Sequence, residues 1–122
     1  MGRLFGGDGV RGVANVGLTC ETVMNIGRAA GAVLCEGGER PRVLLGWDTR
    51  ASAEMMVAAL TAGLCSVGAD VELLGVIPTP AVAHLTRTRG ADLGIAVAAS
   101  YTPCEYNGLK LFDAEEIGRA HV

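Results

Sequence analysis

The sequence predicts a layered α/β domain with a largely parallel sheet. Apolar segments of strand length alternate along the 122 residues with longer segments of helical periodicity. Parallel strands need long crossover connections, usually helices, so this alternation favours parallel pairing. Half of the residues are apolar but only 4% are aromatic, which predicts a core of small aliphatic side chains. The length corresponds to a single domain.

The first predicted elements are a short N-terminal strand, a glycine-rich loop over residues 6–12 and a helix. Thr19 is a residue type that caps helices, and Glu21 in the first turn suits the helix dipole. The helix is expected to end at Gly37 and Gly38, because glycine commonly follows a helix C-terminus. Its apolar face is predicted to consist of Val23, Ile26, Ala30, Val33 and Leu34.

Two strands and a helix are predicted next. Residues 42–46 form a buried strand and residues 71–76 form another. The helix between them begins after the cap Ser52 and ends at Gly68. Its apolar positions are Met55, Met56, Ala59, Leu60, Gly63, Leu64 and Val67.

A third helix and two further strands complete the predicted order. The helix starts at Thr79, with Pro80 at the first helical position, and Gly90 ends it. Residues 93–98 are a continuous run of small apolar residues, which predicts a buried strand. Residues 108–112 are expected to pair beside that strand.

Composition excludes several classes of protein. The net charge is −3 without a block of like charges, so we expect neither nucleic acid nor an anionic membrane as a partner. No apolar run approaches the roughly 20 residues that span a bilayer, and the start does not resemble a signal peptide. The cysteines form no Cys-x-x-Cys pair, which disfavours structural zinc and predicts reduced, mostly buried thiols in a cytoplasmic protein. They are Cys20, Cys35, Cys65 and Cys104.

Ser100 is the main candidate for chemistry, because it directly follows a buried strand. A serine hydrolase would need the elbow G-x-S-x-G, but Ala98 and Thr102 stand where the glycines belong. The chain has only two histidines, His84 and His121, and His84 is predicted to be a packing or surface residue. The sequence therefore disfavours a Ser-His hydrolase.

Phosphoryl transfer fits Ser100 better. Lys110 and Arg11 could hold a phosphate on the serine, because preorganised cations and backbone N–H groups stabilise its charge. An ordinary loop serine is an equal alternative on these residues alone. A second loop, over residues 46–50, follows a strand at the edge of the sheet where ligands bind. Its Asp48 could accept a hydrogen bond from a neighbouring arginine, or it could simply form a turn.

The segment over residues 7–12 has the spacing G-x-G-x-x-G of dinucleotide-binding loops. Such a loop must follow a full strand and open a helix. Here too few residues precede it and no helix is predicted before Thr19, so a nucleotide-binding domain is the weakest alternative.

Four segments together resemble the first domain of the α-D-phosphohexomutase family. They are residues 1–15, 46–52, 99–103 and 107–110. Residues 1–15 together with 75–83 resemble in particular the phosphoglucosamine mutase branch. The resemblance implies an α/β/α domain I with a mixed, mostly parallel sheet between helices.

The resemblance also implies a reaction. Ser100 would be a phosphoserine that interconverts glucosamine 6-phosphate and glucosamine 1-phosphate through a bisphosphate intermediate. Arg11 and Lys110 would surround its phosphate as catalytic residues, and Ser100 would also be a ligand of Mg²⁺. The implied partners are a phosphosugar and domains II–IV of the same enzyme, which supply the main metal loop and the sugar-selecting loop.

Four residues depart from the family pattern. Tyr101 and Thr102 replace the His and Asn after the serine, and a phenol with a pKa of about 10 is a poor proton carrier near neutral pH. Gly7 stands where threonine is usual, and Trp47 stands where arginine is usual. These changes weaken the catalytic interpretation while leaving the scaffold intact.

We expect residues 1–115 to be a truncated domain I and residues 116–122 to be a non-native tail. The tail leaves the family pattern, and a common sequencing adapter read in frame encodes the same seven residues. Such a chain is expected to be inactive alone. The alternatives are a phosphomannomutase or phosphoglucomutase fragment, and a non-catalytic phosphosugar-binding or interaction domain.

Overall fold

Five strands and three helices make up the described part of the chain. The computed structural model describes residues 10–13, 19–37, 40–49, 53–97 and 106–112. The strands are β1 (Val10–Val13), β2 (Arg42–Trp47), β3 (Asp70–Val76), β4 (Leu93–Val97) and β5 (Tyr106–Phe112). The helices are α1 (Cys20–Leu34), which a 3-10 turn (Cys35–Gly37) follows, α2 (Ala53–Ser66) and α3 (Thr79–Thr88).

The strands form one mixed sheet in the order β1-β5-β4-β2-β3. β2 pairs in parallel with both β3 and β4, whereas β5 pairs antiparallel with β4 and with β1. Four strands therefore run in one direction and β5 runs against them. This confirms the predicted mostly parallel sheet and the predicted place of β5 beside β4.

Helices cover both faces of the sheet. α1 and α2 pack on one face, here called the α1–α2 face, and α3 packs on the other, the α3 face. Successive strand residues point to opposite faces, so Ile95 joins the first core and Ala96 the second. On the α3 face, the helix lies over β2 and β4. The fold is thus the α/β/α layering that the resemblance implied.

Glycines line the contact between α1 and α2. Gly27 and Gly31 of α1 and Gly63 of α2 are buried there. A Cβ on Gly63 would collide with the backbone carbonyl oxygen of Met24, and a Cβ on Gly27 would lie 2.9 Å from the Leu60 carbonyl oxygen. The two helix backbones therefore approach each other more closely than alanine would allow.

The same contact corrects one part of the predicted apolar face. Val33 was expected to face the core, but its side chain is 65% exposed. Because α2 packs against the side of α1 that carries Gly27 and Gly31, Val33 is turned away from it. Val23 and Ile26 are buried as predicted, and Leu34 packs against the core.

Capping residues fix the helix ends. The Thr19 hydroxyl accepts from the Thr22 N–H over 3.1 Å, which confirms the predicted cap. Gly68 and Gly90 follow α2 and α3 with φ of +98° and +65°, as expected of glycine C-caps. In each case the N–H of the glycine and that of the next residue donate to carbonyls of the last helical turn.

Several predicted boundaries differ from the structure. Residues 10–12, expected in a glycine-rich loop, belong to β1 because they pair with β5. α3 begins at Thr79 after the N-cap Pro78, so Pro80 occupies the second helical position rather than the first. The predicted strand before residue 6, Gly38 and the cap Ser52 lie outside the described residues.

We predict that Gly63→Ala destabilises the protein by about 2 kcal/mol, because overpacking a rigid contact outweighs the gain of about 1 kcal/mol in helix propensity. Urea unfolding followed by circular dichroism measures the change. Gly31→Ala is the matched control, since the one atom that would have to move is the side-chain methyl Cγ2 of Val67, at 2.5 Å from the new Cβ, whereas the nearest backbone atom, the Leu64 carbonyl oxygen, lies at an ordinary 3.6 Å. A Gly63→Ala variant as stable as the wild type would contradict the prediction.

Candidate active site

The carboxyl ends of the parallel strands form one edge of the sheet, the usual place for a ligand in open α/β folds. The register aligns one residue of each strand in a row along this carboxyl edge, namely Val10, Leu109, Val97, Trp47 and Val76. Just beyond the row, the Asp48 N–H donates to the Val97 carbonyl and the Ile77 N–H donates to the Trp47 carbonyl, each over 3.1 Å. These bonds fix where the edge loops begin.

Lys110 lies one residue inside the carboxyl edge, opposite Ala96 of β4. Its neighbours Leu109 and Leu111 are buried in the core of the α1–α2 face, so Lys110 belongs to the α3 face, as Phe112 does. The Lys110 side chain is half-buried. A lysine with a partly covered stem can still keep its ammonium in a polar environment.

The register places the position of Arg11 diagonally across from that of Lys110. Arg11 pairs with Gly108 of β5, one residue beyond the row of the carboxyl edge. Gly108 and Lys110 are two residues apart on β5, and positions two apart in a strand share a face. Ser100 lies outside the described residues, three positions after Val97 at the end of β4. The two predicted cationic positions thus occupy the neighbouring strands β1 and β5, and β5 lies beside β4, the strand that leads to the serine.

Trp47 does not share a face with Lys110. Its half-buried side chain packs against the core of the α1–α2 face. Asp48 follows as a half-buried residue, and Arg50 lies outside the described residues. The pairing of Asp48 with an arginine therefore stays a prediction.

β3 has an irregularity at this edge that was not predicted from the sequence. The register between β2 and β3 shifts between Leu45 and Gly46, so β3 contains one extra residue, Leu74. Gly75 then has φ of +86°, a conformation that favours glycine. A glycine inside an apolar strand is the signal that could have indicated this bulge. Bulges of this kind often re-aim a strand next to a functional site.

Two side chains at the start of α1, Cys20 and Glu21, shift each other's pKa. The Cys20 thiol donates to Glu21 Oε1 over 3.2 Å. This hydrogen bond and the negative charge of Glu21 raise the pKa of Cys20, and the bond lowers the pKa of Glu21. A protonated thiol is a weak nucleophile. Cys20 and Cys65 are exposed and Cys35 is partly exposed, so the expectation of mostly buried thiols is wrong for the described residues.

Other expected features can be placed in the described ranges. They contain no group of three or more His, Cys, Asp or Glu side chains that could hold a metal ion. His84 is exposed on α3, so it occupies the surface position, one of the two that the sequence left open. Among the described helices, none has the length and apolar character needed to cross a membrane.

A comparison with protein families identifies this arrangement. The model of phosphoglucomutase/phosphomannomutase, alpha/beta/alpha domain I, matches residues 2–121. The chain belongs to the phosphoglucomutase/phosphomannomutase family. Phosphoglucosamine mutase of Clostridium perfringens is 58% identical over 113 residues, which cover 93% of this chain and 25% of that protein. Phosphoglucosamine mutase of Caldicellulosiruptor saccharolyticus is 56% identical over 115 residues, which cover 94% and 26%.

Solved structures of the family have the same fold. A phosphoglucomutase/phosphomannomutase family protein from Burkholderia thailandensis superposes with a TM-score of 0.77 at 30% identity, over 91% of this chain and 26% of that one. A Thermus thermophilus protein described as a candidate phosphomannomutase gives 0.82 at 36% identity, over 90% and 25%. The chain thus spans about a quarter of the length of the family members it matches. The domain boundary expected at residue 115 stays a prediction.

Proposed function

We propose that this family domain carries the phosphoserine of a phosphoglucosamine mutase, with Ser100 as the phosphate carrier. The main support is the register of β5, which brings the positions of Arg11 and Lys110 to the edge where β4 leads to the serine. The relatives named phosphoglucosamine mutase, at up to 58% identity, support the choice of glucosamine phosphate as substrate.

In the proposed reaction, the O1 hydroxyl of glucosamine 6-phosphate attacks the phosphorus on phosphorylated Ser100. The bond from phosphorus to Ser100 Oγ breaks, a bond to the sugar oxygen forms, and the hydroxyl proton passes to a base outside the described residues. The bisphosphate then returns its 6-phosphate to Oγ in the reverse sense. The sugar leaves as glucosamine 1-phosphate with the serine phosphorylated again.

The two cations have distinct roles in this proposal. The Arg11 guanidinium can bind two phosphate oxygens at once, whereas the Lys110 ammonium acts as a compact charge. Both stabilise the charge of the transferring group, and phosphoryl transfer is accelerated mainly by such stabilisation together with positioning. The expected Mg²⁺ would need Ser100 and further ligands from outside the described residues, so the chemistry assigned to this domain rests on its serine and its cations.

We predict that incubation with glucosamine 1,6-bisphosphate places one phosphate on Ser100, detectable by peptide mass spectrometry. Ser100→Ala should remove the signal, and Ser66→Ala, a change to a helical serine, should leave it intact. If a folded wild-type chain takes no phosphate at Ser100, the alternative of a non-catalytic phosphosugar-binding or interaction domain is favoured.

Lys110→Met should slow this phosphorylation at least tenfold, since the loss of one charge-stabilising group typically costs about a hundredfold or more. Methionine keeps the apolar stem, so the thermal unfolding midpoint should change little. The matched control is Arg87→Met on the exposed surface of α3. Phosphorylation of Lys110→Met at the wild-type rate would remove Lys110 from the proposed site.

The isolated chain should show no conversion of glucosamine 6-phosphate above the buffer background. It covers a quarter of its relatives, and Tyr101 is a poor proton carrier in place of histidine. A coupled assay for glucosamine 1-phosphate measures this. Turnover that disappears in the Ser100→Ala variant would show that the domain acts alone.

A further inference from the structure

An apolar groove lies between α2 and the edge strand β3, on the opposite side of the sheet from Lys110. It has a volume of about 500 Å³ and is lined mainly by Trp47, Ala58, Ala62 and Leu73. Glu54, Ala58 and Ala62 follow one another at four-residue spacing, so they form one stripe along α2. Because two of these residues are alanines, the space above Leu73 stays open. We call this surface the α2–β3 groove.

β3 exposes two large apolar side chains, of which Leu73 lines the groove and Val76 lies beyond it along the strand. Leu73 is 54% exposed and Val76 is 57% exposed. Within the described sheet, β3 pairs with β2 alone, so its outer edge is open. A contiguous apolar surface next to an open strand edge is typical of an interaction site.

The first half of β3 carries charged side chains that form ion pairs, whereas the second half carries exposed apolar side chains. Near its start, Asp70 forms an ion pair with Arg40 at 3.3 Å. Glu72 pairs with Arg42 at 3.5 Å and with Arg89. The charged half of the strand therefore has partners within this chain, whereas Leu73 and Val76 in the other half remain largely uncovered. The open surface is thus confined to the half that reaches the carboxyl edge.

We propose that the α2–β3 groove is the surface on which the later part of a full-length phosphoglucosamine mutase docks. This rests on the part of the proposed function that makes the chain the first domain of a longer enzyme. The relatives are about four times as long as this chain, which matches only 25% of one of them. Trp47 and Val76 lie in the same row of residues as Val97, so a segment docked in the groove adjoins the edge that leads to Ser100.

Cysteine labelling tests the docking without any activity assay. This chain replaces the matched 113 residues of the Clostridium perfringens enzyme to give a full-length chimera. Leu73→Cys is introduced into the chimera and into the 122-residue chain, and the labelling rate of that cysteine is followed by peptide mass spectrometry. Val33→Cys is the matched control, because Val33 is an equally apolar residue, 65% exposed, on α1.

Docking in the groove should slow the labelling of Leu73→Cys at least tenfold in the chimera, with no change at Val33→Cys. If the chimera folds poorly, cysteines are introduced at the aligned positions of the intact Clostridium perfringens enzyme. Their labelling rates then report whether the groove is covered. Equal labelling of Leu73→Cys in the long and short proteins would overturn the proposal. The proposal would also be overturned if labelling of Leu73→Cys in the 122-residue chain slowed as the protein concentration rose, because a second copy of the chain would then occupy the groove. If Leu73→Cys is protected in the chimera but Ser100 takes no phosphate, the docking proposal stands and only the proposed phosphoserine is contradicted.

Discussion

The antiparallel strand β5 determines how the candidate site is assembled. It lies between β4, which leads to Ser100, and β1, which carries Arg11 near the start of the chain. Leu109 and Leu111 fix its register because both are buried in the core of the α1–α2 face. Strand side chains alternate between faces, so a slip of one residue would move Lys110 into that core. Burial of two leucines therefore holds a lysine at the edge of the sheet.

The close contact between α1 and α2 supports this arrangement from the other face of the sheet. Glycines at the crossing let the two helices pack as a pair over the same core that buries Leu109. On the opposite face, α3 packs over β2 and β4. Lys110 belongs to the α3 face, where its side chain is half-buried. Burial of Leu109 and Leu111 on the α1–α2 face thus places Lys110 on the opposite face.

Local patterns in the sequence predicted most of the fold. Periodicity gave the elements, and Thr19, Gly68 and Gly90 marked helix ends because capping depends on a few adjacent residues. Val33 was misplaced because an apolar residue can lie beside a helix contact that glycines form. The Gly75 bulge was missed because a register shift depends on the partner strand as well as on β3 itself.

The candidate site was predictable only in part, because it too depends on a partner strand that is distant in the sequence. Residue types and order pointed to Ser100, Lys110 and Arg11, but the placing of Arg11 near Lys110 depends on pairing between β1 and β5, which are distant in the chain. No periodicity specifies such a pairing. The family resemblance supplied what local patterns could not, since it associates these residues through a common fold. The role of Ser100 still rests on that resemblance, because the residue lies outside the described ranges.

The carboxyl edge and the α2–β3 groove together suggest why a domain of this kind would depend on more chain. Phosphoryl transfer needs a site that excludes water, since cations stabilise a phosphate far more strongly in a low-dielectric environment. In the row along the carboxyl edge, Val97 and Leu109 are fully buried, whereas Leu73 and Val76 of β3 expose apolar surface beside them. A body covering Leu73 and Val76 would remove apolar area from water and would also lie beside the edge that leads to Ser100. The same contact could therefore stabilise the assembly and prepare the site for its reaction.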